Sequence, residues 1–460
     1  MPRRPARGVE RRVAGILAAT VAASVAAAMA ACAHAQHGTP PRALAGTARP
    51  DTAMTAPSPM FRAARPRGVS DDAMRIFDGA VVIDTHNDMP TKMLDDKYDP
   101  DVRHPAGFGP GQGNTDLPRL QESGLTAEWM SAWVDATYAR QQPDGSFARV
   151  TRYLDAIHAW VGRHPDRLVF ATTAAQVERA KADGKVAILI GVEGGHAIEN
   201  SLDNLRTLYA RGARYMTLTW NNGNDWAGSS IGVNGTRTGG LTPFGRDVVR
   251  EMNRLGMLVD VSHVSDATMA DVLATTTAPV IASHSSARAL NEHPRNVTDA
   301  EIRAIAATGG VVNVNFFSRF IDPAYRRADD ALDATMQRKR AELMRRGPLD
   351  TATLNAELAK ERRPLEASLP VTPLLVLLDH IDHIAKVGGV DHVGIGSDFD
   401  GVTALPEGME DVTALPRIAQ GLLDRGYSAE DIRKILGGNM LRVMRKVLDH
   451  AGAAAAPASR

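Results

Sequence analysis

Eight short apolar runs, separated by segments of helix length, limit the fold of this chain more than any other feature. Runs of this kind, bounded by polar or turn residues, are typical of strands that are buried on both faces of a parallel sheet. They span 81–84, 125–134, 186–192, 215–220, 257–261, 280–282, 310–316 and 393–396. Eight strands in alternation with helices predict an α/β fold, the (β/α)8 or TIM barrel.

One long charged segment, 326–370, interrupts the alternation between the seventh and eighth predicted strands. We expect it to form a helical insertion, a solvated hairpin rather than a second domain. With this insertion the barrel is predicted to span residues 69–450. Residues 37–68 are rich in Pro, Ala, Arg and Thr without apolar periodicity, which predicts a flexible linker. The low-complexity residues 451–460 predict a disordered tail.

The first 36 residues differ in composition from the rest of the chain. Five arginines precede an uncharged Ala- and Val-rich run, 13–31, and the following Ala-His-Ala-Gln, 33–36, has the small-x-small form of a signal-peptidase site. We therefore expect residues 1–36 to be a signal peptide that exports the protein to the periplasm. Retention of the run as a membrane span is the alternative.

Cys32 is the only cysteine, so the chain can form no internal disulfide despite its expected export. Residues 29–32, Met-Ala-Ala-Cys, are similar to a lipoprotein box with Met where Leu is usual. A lipoprotein anchored to the membrane at Cys32 is therefore an alternative to a soluble periplasmic protein. A twin-arginine export route through Arg11 and Arg12 is a further alternative.

Positive and negative charges balance over the 460 residues, because Lys plus Arg and Asp plus Glu both number 53. No net field attracts a polyanion, so the composition disfavours nucleic acid as a partner. The chain is long enough for one large domain or two ordinary ones. Composition leaves the oligomeric state open, with a homodimer among the options.

Residues of metal-ligand type follow five of the eight predicted strands. His86 and Asp88 lie two apart on an extended segment, so their side chains can converge on one point. The others are Glu193 after the third strand, His263 after the fifth, His284 after the sixth, and Asp398 and Asp400 after the eighth. One histidine at a strand end is usually just a solvated or satisfied polar group. In a barrel, however, all these ends open on the same face, and the recurrence predicts a single site there.

Three histidines and two or three carboxylates suit a divalent ion, above all zinc, when thiolates are absent. The number of candidate ligands exceeds what one four-coordinate ion needs. Glu193, on the strand between the other candidates, could bridge two ions roughly 3.5 Å apart. A water held between two such cations has a lowered pKa and becomes a hydroxide nucleophile at neutral pH.

Five motifs, in this order, resemble the membrane (renal-type) dipeptidases, a zinc metallopeptidase family of the amidohydrolase-like barrels. They read Val-Ile-Asp-Thr-His-Asn-Asp (82–88), Gly-Val-Glu-Gly-Gly-His (191–196), Asp-Val-Ser-His-Val-Ser (260–265), Ser-His-Ser-Ser-Ala (283–287) and Gly-Ile-Gly-Ser-Asp-Phe-Asp-Gly-Val (394–402). The resemblance covers about residues 69–448. It implies zinc-dependent hydrolysis of small peptides, namely dipeptides, including those with a C-terminal D-residue, by a metal-bridged hydroxide.

The resemblance also implies a ligand set of two zinc ions per chain. His86 and Asp88 would bind one ion, His263 and His284 the other, and Glu193 would bridge them.

Three further residues receive roles from the same resemblance. Asp398 would take a proton from the bridging water and return it to the leaving amine, with Asp400 as the substitute candidate. Arg295 would bind the substrate carboxylate, for which a guanidinium offers a planar fork. His196, next to the motif glutamate, is expected to orient its loop rather than to bind metal.

The chain departs from the family at one position. Where the family has Leu-Thr-His, whose histidine stabilises the oxyanion, this chain reads Leu-Thr-Trp, with Trp220 in the place of the histidine. An indole donates one hydrogen bond but carries no positive charge. Either a nearby amide (Asn221, Asn222 or Asn224) supplies the donor, or the pocket is reshaped for another substrate. In both cases Trp220 is predicted to line the pocket.

Two other functions are compatible with the same motifs. A different amide or ester hydrolase, such as a deacylase or lactonase, could use the same binuclear site, because fold does not determine substrate. A binding protein without turnover could also retain the metal ligands, although it would have no need of Asp398. The sequence does not define the side-chain preference of the dipeptide.

Overall fold

The computed structural model describes residues 63–140, 145–232, 239–347 and 350–454. The expected signal peptide, its lipoprotein-box alternative, most of the linker and the last residues of the tail lie outside this part of the chain. The end of the predicted linker is in contact with the barrel, since the Ala64 amide donates a hydrogen bond to the Glu122 carbonyl. No described helix is both long enough and apolar enough to cross a bilayer.

The sheet contains nine parallel strands. They are β1 (Ile83–Asn87), β2 (Ala127–Trp133), β3 (Leu168–Phe170), β4 (Val186–Glu193), β5 (Ala213–Thr217), β6 (Leu258–Asp260), β7 (Ile281–Ala282), β8 (Val311–Val314) and β9 (Val393–Ile395). Eight of them form a closed barrel in the order β1-β2-β4-β5-β6-β7-β8-β9, because β2 pairs with β4 and β9 pairs with β1. The predicted barrel is therefore confirmed, with each of the eight predicted runs at a barrel strand.

β3 was not predicted, since its three residues give too short a pattern to distinguish from a loop. It pairs with the first half of β4, at Val186 to Ile188, whereas β5 pairs with the second half. β3 is thus a ninth strand attached to the barrel wall, and it does not reach the end of the barrel where the predicted ligands lie.

Sixteen helices belong to the described residues. They are α1 (Asp71–Gly79), α2 (Met89–Asp95), α3 (Leu117–Ser123), α4 (Ser146–Arg163), α5 (Ala174–Ala182), α6 (Leu202–Ala210), α7 (Pro243–Leu255), α8 (Asp266–Thr275), α9 (Asp299–Ala307), α10 (Ser318–Ile321), α11 (Pro323–Arg346), α12 (Thr351–Glu366), α13 (Leu374–Gly388), α14 (Pro416–Asp424), α15 (Ala429–Arg433) and α16 (Asn439–Ala454). Several starts are encoded locally. In α9, for example, Thr298 and Glu301 form a reciprocal capping box.

Two charged helices, α11 and α12, occupy the segment between β8 and β9. Ion pairs join them, among them Arg362 with Asp333 at 3.0 Å and Lys339 with Glu361. These side chains are partly solvated, so each pair contributes little to stability. The two helices thus present mainly polar surface and lie outside the barrel core.

Large side chains fill the interior of the barrel. Trp129 and Tyr215 stack with ring centroids 5.0 Å apart, and Leu189, Ile281 and other inward residues of the strands complete this cluster. Apolar residues of α16 belong to the same cluster and close it at one end. Because the interior is packed, substrates have access only to the opposite end, where the strands finish.

Candidate active site

The predicted ligands converge at the carboxyl ends of the strands, and all five are buried. They are His86, Asp88, Glu193, His263 and His284. On one side of the cluster, Nε2 of His86 lies 3.3 Å from Oδ2 of Asp88 and 3.3 Å from Oε2 of Glu193.

The other carboxylate oxygen of Glu193 faces the second pair of histidines. Its Oε1 lies 2.9 Å from Nε2 of His263 and 3.7 Å from Nε2 of His284. The two oxygens of one carboxylate therefore point at different imidazoles. This is the arrangement that a bridging ligand requires.

The backbone at several strand ends is in the left-handed region. His263, Asp398 and Asp400 have φ values of 66°, 64° and 66°. Non-glycine residues adopt this conformation at a cost of about 1–2 kcal/mol, and such strain is concentrated at functional sites. Of these three residues, His263 and Asp398 lie beside Glu193 and His86.

A tyrosine fixes the orientation of the first histidine. The Tyr215 hydroxyl lies 2.9 Å from Nδ1 of His86 and donates to the Thr85 carbonyl oxygen at 3.2 Å. Because the single hydroxyl proton is directed to Thr85, the oxygen accepts a hydrogen bond from Nδ1–H. Nε2 of His86 is then the ring nitrogen left for a metal ion, and it forms no hydrogen bond with any described residue. Loss of its proton to an incoming ion would give the tautomer that a metal ligand needs.

The other two histidines are oriented in the same way. Nδ1 of His263 lies 3.1 Å from Oδ1 of Asn221. Nδ1 of His284 lies 2.8 Å from Oγ of Ser283, whose hydroxyl donates to Asp260 at 2.6 Å. Both Nε2 lone pairs therefore face each other, 2.9 Å apart. With both Nδ1 atoms protonated, a cation beside the two nitrogens would remove the repulsion between their lone pairs.

The electrostatics of the three imidazoles favour a cation at the same place. Burial lowers the pKa of His263 to about 3 and holds the pKa of His284 well below its ordinary value, so both imidazoles are in the neutral form that a metal ligand needs. Burial also opposes the charged form of His86, but Tyr215 and the carboxylates of Glu193 and Asp88 outweigh it and raise the pKa of His86. A divalent ion in this cluster would supply the positive charge that these carboxylates favour.

The donor set fits the implied metal. Buried imidazole nitrogens and carboxylate oxygens, with Nε2 of His86 and Oδ1 of Asp88 lacking a hydrogen bond, are suitable zinc ligands. Two sets bring their ligand atoms within 4.8 Å of one another: His86 with Glu193 and His284, and His86 with Asp88 and Asp398. His86 belongs to both sets, so the assignment of each ligand to one ion stays a prediction.

Asp398 lies beside the ligands and is held by one amide. Its Oδ1 lies 4.0 Å from Nε2 of His86, and its Oδ2 accepts a hydrogen bond from Asn315 at 2.7 Å. Burial, with the charges of Asp88 and Glu193, raises the pKa of Asp398 to about 7, although His86 and Asn315 oppose this. A carboxyl group with such a pKa can both accept and return a proton near neutral pH.

Asp400 has a different environment. Its Oδ1 accepts from the Asn114 amide at 2.8 Å, and its own amide donates to Oδ1 of Asn114 at 2.9 Å. This reciprocal pair anchors the loop before α3 to the end of β9. Of the two candidate carboxylates, Asp398 is therefore the one placed among the ligands.

Arg295 is a buried cation next to the cluster. Only 2% of it is exposed, and its guanidinium donates to the His284 carbonyl at 3.2 Å and to Oγ of Ser285 at 3.4 Å. Its Nε has no partner, and none of the described carboxylates forms an ion pair with it. Burial lowers the pKa of Arg295 to about 10, so the group stays charged at neutral pH. The site thus offers an unneutralised fork to an anionic substrate group.

Trp220 follows β5 and is half-buried, with its ring 4.9 Å from that of Trp133 in an edge-on contact. Of the predicted replacement donors, Asn224 is used within the loop: its Nδ2 donates to Leu218, and its Oδ1 accepts from two backbone amides. Asn221 uses its oxygen on His263, and the Nδ2 group of Asn222 donates to the Gly223 carbonyl at 3.4 Å. The Nδ2 group of Asn221 is therefore the strongest candidate of the three.

Some functional residues were not found from the sequence. Tyr215 lies inside β5, and Asp260 ends β6 within an apolar run. Only the closed barrel shows that Tyr215 contacts His86 and that Asp260 reaches His284 through Ser283. His196 was predicted to orient its loop, and its Nε2 lies 2.8 Å from the Val134 carbonyl rather than among the ligand atoms.

A closed (β/α)8 barrel with buried imidazoles and carboxylates at the carboxyl ends of its strands defines a metal-dependent hydrolase. Within this class, the chain belongs to the membrane dipeptidase family, peptidase family M19, whose model matches residues 70–458. It is therefore a metallopeptidase of the dipeptidase type with a metal cofactor, and the resemblance of the five motifs is confirmed.

Solved structures of similar proteins agree with this assignment. The probable dipeptidase PvdM from Pseudomonas aeruginosa is 27% identical with a TM-score of 0.72, over 84% of this chain and 100% of that one. Dipeptidase AC, a metallopeptidase of family M19, is 26% identical to this chain with a TM-score of 0.63. The match covers 80% of this chain and 99% of that one. A third structure is a metallopeptidase from Rhodobacter sphaeroides bound to a phosphinate mimic of the dipeptide L-Ala-D-Ala. It is 26% identical to this chain with a TM-score of 0.62, and the match covers 80% of this chain and 99% of that one.

Proposed function

We propose that this protein is a zinc-dependent dipeptidase that hydrolyses dipeptides, including those with a D-residue at the carboxyl end. The observation that carries the proposal is the division of the Glu193 carboxylate between His86 on one side and His263 with His284 on the other. The dipeptide mimic bound to the similar Rhodobacter sphaeroides enzyme supports the substrate class.

Five residues would hold two zinc ions. His86 and Asp88 would bind one ion, His263 and His284 the other, and Glu193 both. When bound, the ions would supply Lewis-acid activation of a water nucleophile. The hydrogen bonds that Nδ1 of the three histidines donates would keep the three Nε2 atoms available to the ions.

Asp398 is the proton carrier in this proposal. Its Oδ1 faces the ligand cluster, while Asn315 holds its Oδ2 and so fixes the carboxyl plane. It would accept a proton from the attacking water and donate it to the amine that leaves. Positioned acid-base groups of this kind contribute about 10²- to 10⁴-fold to rate.

Arg295 would fix the substrate at its free carboxylate. The guanidinium is buried, charged and without a carboxylate partner among the described residues, and it lies against the backbone of the ligand His284. Binding of the carboxylate there places the peptide bond over the ligand cluster. The Nδ2 group of Asn221 would donate to the carbonyl oxygen in place of the family histidine.

A substrate panel tests the proposal. The purified protein is assayed on L-Ala-L-Ala, L-Ala-D-Ala, N-acetyl-L-alanine and a simple lactone, after removal of metal and after addition of zinc. We expect hydrolysis of both dipeptides to be lost without metal and restored by zinc, with little turnover of the other compounds. Faster hydrolysis of the acylated amino acid or the lactone would show that the pocket around Trp220 has been reshaped for another substrate.

A further inference from the structure

One face of β2 leads from the barrel interior to the site. Trp129 packs in the interior against Tyr215, and two residues later Ser131 donates to Oε2 of Glu193 at 3.2 Å. Alternate residues of a strand share a face, so Trp133, two residues further, belongs to the same inward side. Its register partner on β4 is Glu193 itself. Trp133 therefore lies at the mouth of the barrel, at the same level as Glu193 and beside it.

A second indole extends this surface. The ring of Trp220, after β5, meets that of Trp133 edge-on, with centroids 4.9 Å apart and an angle of 64°. Both side chains are only half-buried, although both lie next to a fully buried cluster. The Nε1–H of Trp133 is shielded from solvent and has no hydrogen-bond partner among the described residues. We call these two residues the indole wall.

Trp133 of the indole wall and Arg295 lie on opposite sides of the site, and Trp220 follows β5, which is between β2 and β7 in the barrel order. In the closed order β1-β2-β4-β5-β6-β7-β8-β9, β2 is second and β7 is sixth, which places them across the barrel from each other. Trp133 ends β2, whereas Arg295 belongs to the loop that follows β7. The ligand cluster around Glu193 lies between an apolar surface and a buried cation.

We propose that the indole wall binds the side chain of the N-terminal residue of the dipeptide and selects aromatic and large apolar side chains. This inference rests on the proposed function, because Arg295 must hold the carboxylate for the N-terminal residue to extend towards β2. An aromatic side chain can contact the exposed edge and face of two indoles, an arrangement that stabilises aromatic clusters beyond the area they bury. A methyl side chain cannot reach both rings.

Three dipeptides and matched variants test the inference. The zinc-loaded protein is assayed on L-Phe-L-Ala, L-Ala-L-Ala and L-Ala-L-Phe. We expect kcat/KM for L-Phe-L-Ala to exceed that for L-Ala-L-Ala by roughly tenfold or more, as is usual when a large apolar group is exchanged for a small one in a fitted pocket. Trp133→Leu and Trp220→Leu should each reduce this ratio towards one, while Trp220→Phe should retain most of it.

Tyr209→Leu is the control, because Tyr209 is also a half-buried aromatic residue but packs on Arg214 near the start of β5, away from the site. Its ratio and its zinc content should match those of the wild type, and zinc content should also be normal in the tryptophan variants.

The outcomes separate the two claims. A wild-type ratio near one, with both dipeptides hydrolysed, would overturn the role of the indole wall and leave the proposed function intact. The role of the indole wall would also be overturned if Trp133→Leu and Trp220→Leu both kept the wild-type ratio of kcat/KM for L-Phe-L-Ala to that for L-Ala-L-Ala. If the leucine variants lost activity only on L-Ala-L-Phe, the indole wall would bind the side chain of the C-terminal residue, and the inference would be wrong. No hydrolysis of any dipeptide by the zinc-loaded protein would overturn the proposed function, and this inference with it.

Discussion

The Tyr215 hydroxyl lies 2.9 Å from Nδ1 of His86, across the barrel from β5 to β1. Gly191 on β4 leaves room for the tyrosine ring, because a Cβ at that position would overlap it. A residue in the packed barrel interior thus determines the orientation of a predicted metal ligand at the barrel mouth. This contact couples the packing of the fold to the geometry of the predicted metal site.

Tyr215→Phe should weaken zinc binding while retaining the ring that fills the barrel. Removal of a partner that orients a metal-ligating histidine typically costs about 10- to 100-fold in metal affinity. Competition with a chromophoric chelator measures this. Tyr153→Phe is the matched control, since its buried hydroxyl contacts Asp95 and Arg149 rather than a ligand. Equal zinc affinities for Tyr215→Phe and the wild type would show that the contact has no role in metal binding.

Asp398→Asn should reduce turnover by about 10²- to 10⁴-fold while zinc content stays near normal, because it removes a proton carrier without removing a ligand in the proposed set. Asparagine tolerates the left-handed backbone at this position, so the substitution adds little strain. Asp400→Asn is the parallel variant, and its effect should be much smaller. If Asp400→Asn abolished turnover and Asp398→Asn did not, the assignment of the two carboxylates would be reversed.

Arg295 predicts a strong preference for substrates with a free carboxylate. Dipeptides should be hydrolysed much faster than their C-terminal amides, and Arg295→Ala should remove that difference mainly through kcat/KM. Arg295→Lys keeps the charge but not the planar fork, so it should restore only part of the preference. Similar rates on acid and amide in the wild type would indicate a general amidase instead.

Glu251 provides a stability prediction that is independent of the metal site. Hydrogen bonds from Arg254 and Arg206 lower the pKa of this carboxyl from 4.5 to about 2. A lowered folded-state pKa stabilises the protein above the unfolded value, and this contribution is lost as pH falls from 4.5 towards 2. Chemical unfolding of the metal-free protein at pH 6 and pH 3 should show a smaller pH dependence for Glu251→Gln. An unchanged dependence would mean that the contacts of Glu251 with Arg206 of α6 and with Arg254 of its own helix do not persist in solution.

The eight barrel strands could be predicted because strands buried on both faces have continuous apolar runs. The convergence of the candidate ligands could be predicted because their residue types recur where those runs end. β3 could not, since a run as short as Leu168–Phe170 has no distinctive pattern. The residues that orient the histidines could not be assigned either. Tyr215 is an ordinary strand residue in the sequence, and its partner lies on the far side of the closed barrel. Trp133 is likewise an ordinary strand residue in the sequence, and only its register with Glu193 shows that it lies at the site.

The metal content of purified protein tests most directly whether Glu193 joins two ions. Elemental analysis should find about two zinc ions per chain in the wild type, nearly none in Glu193→Ala and about one in His263→Ala, because only the bridging ligand serves both ions. Glu251→Gln, which replaces a carboxylate far from the ligands, should retain two. Active protein without a bound transition metal, or a Glu193→Ala variant that keeps both ions, would contradict the account.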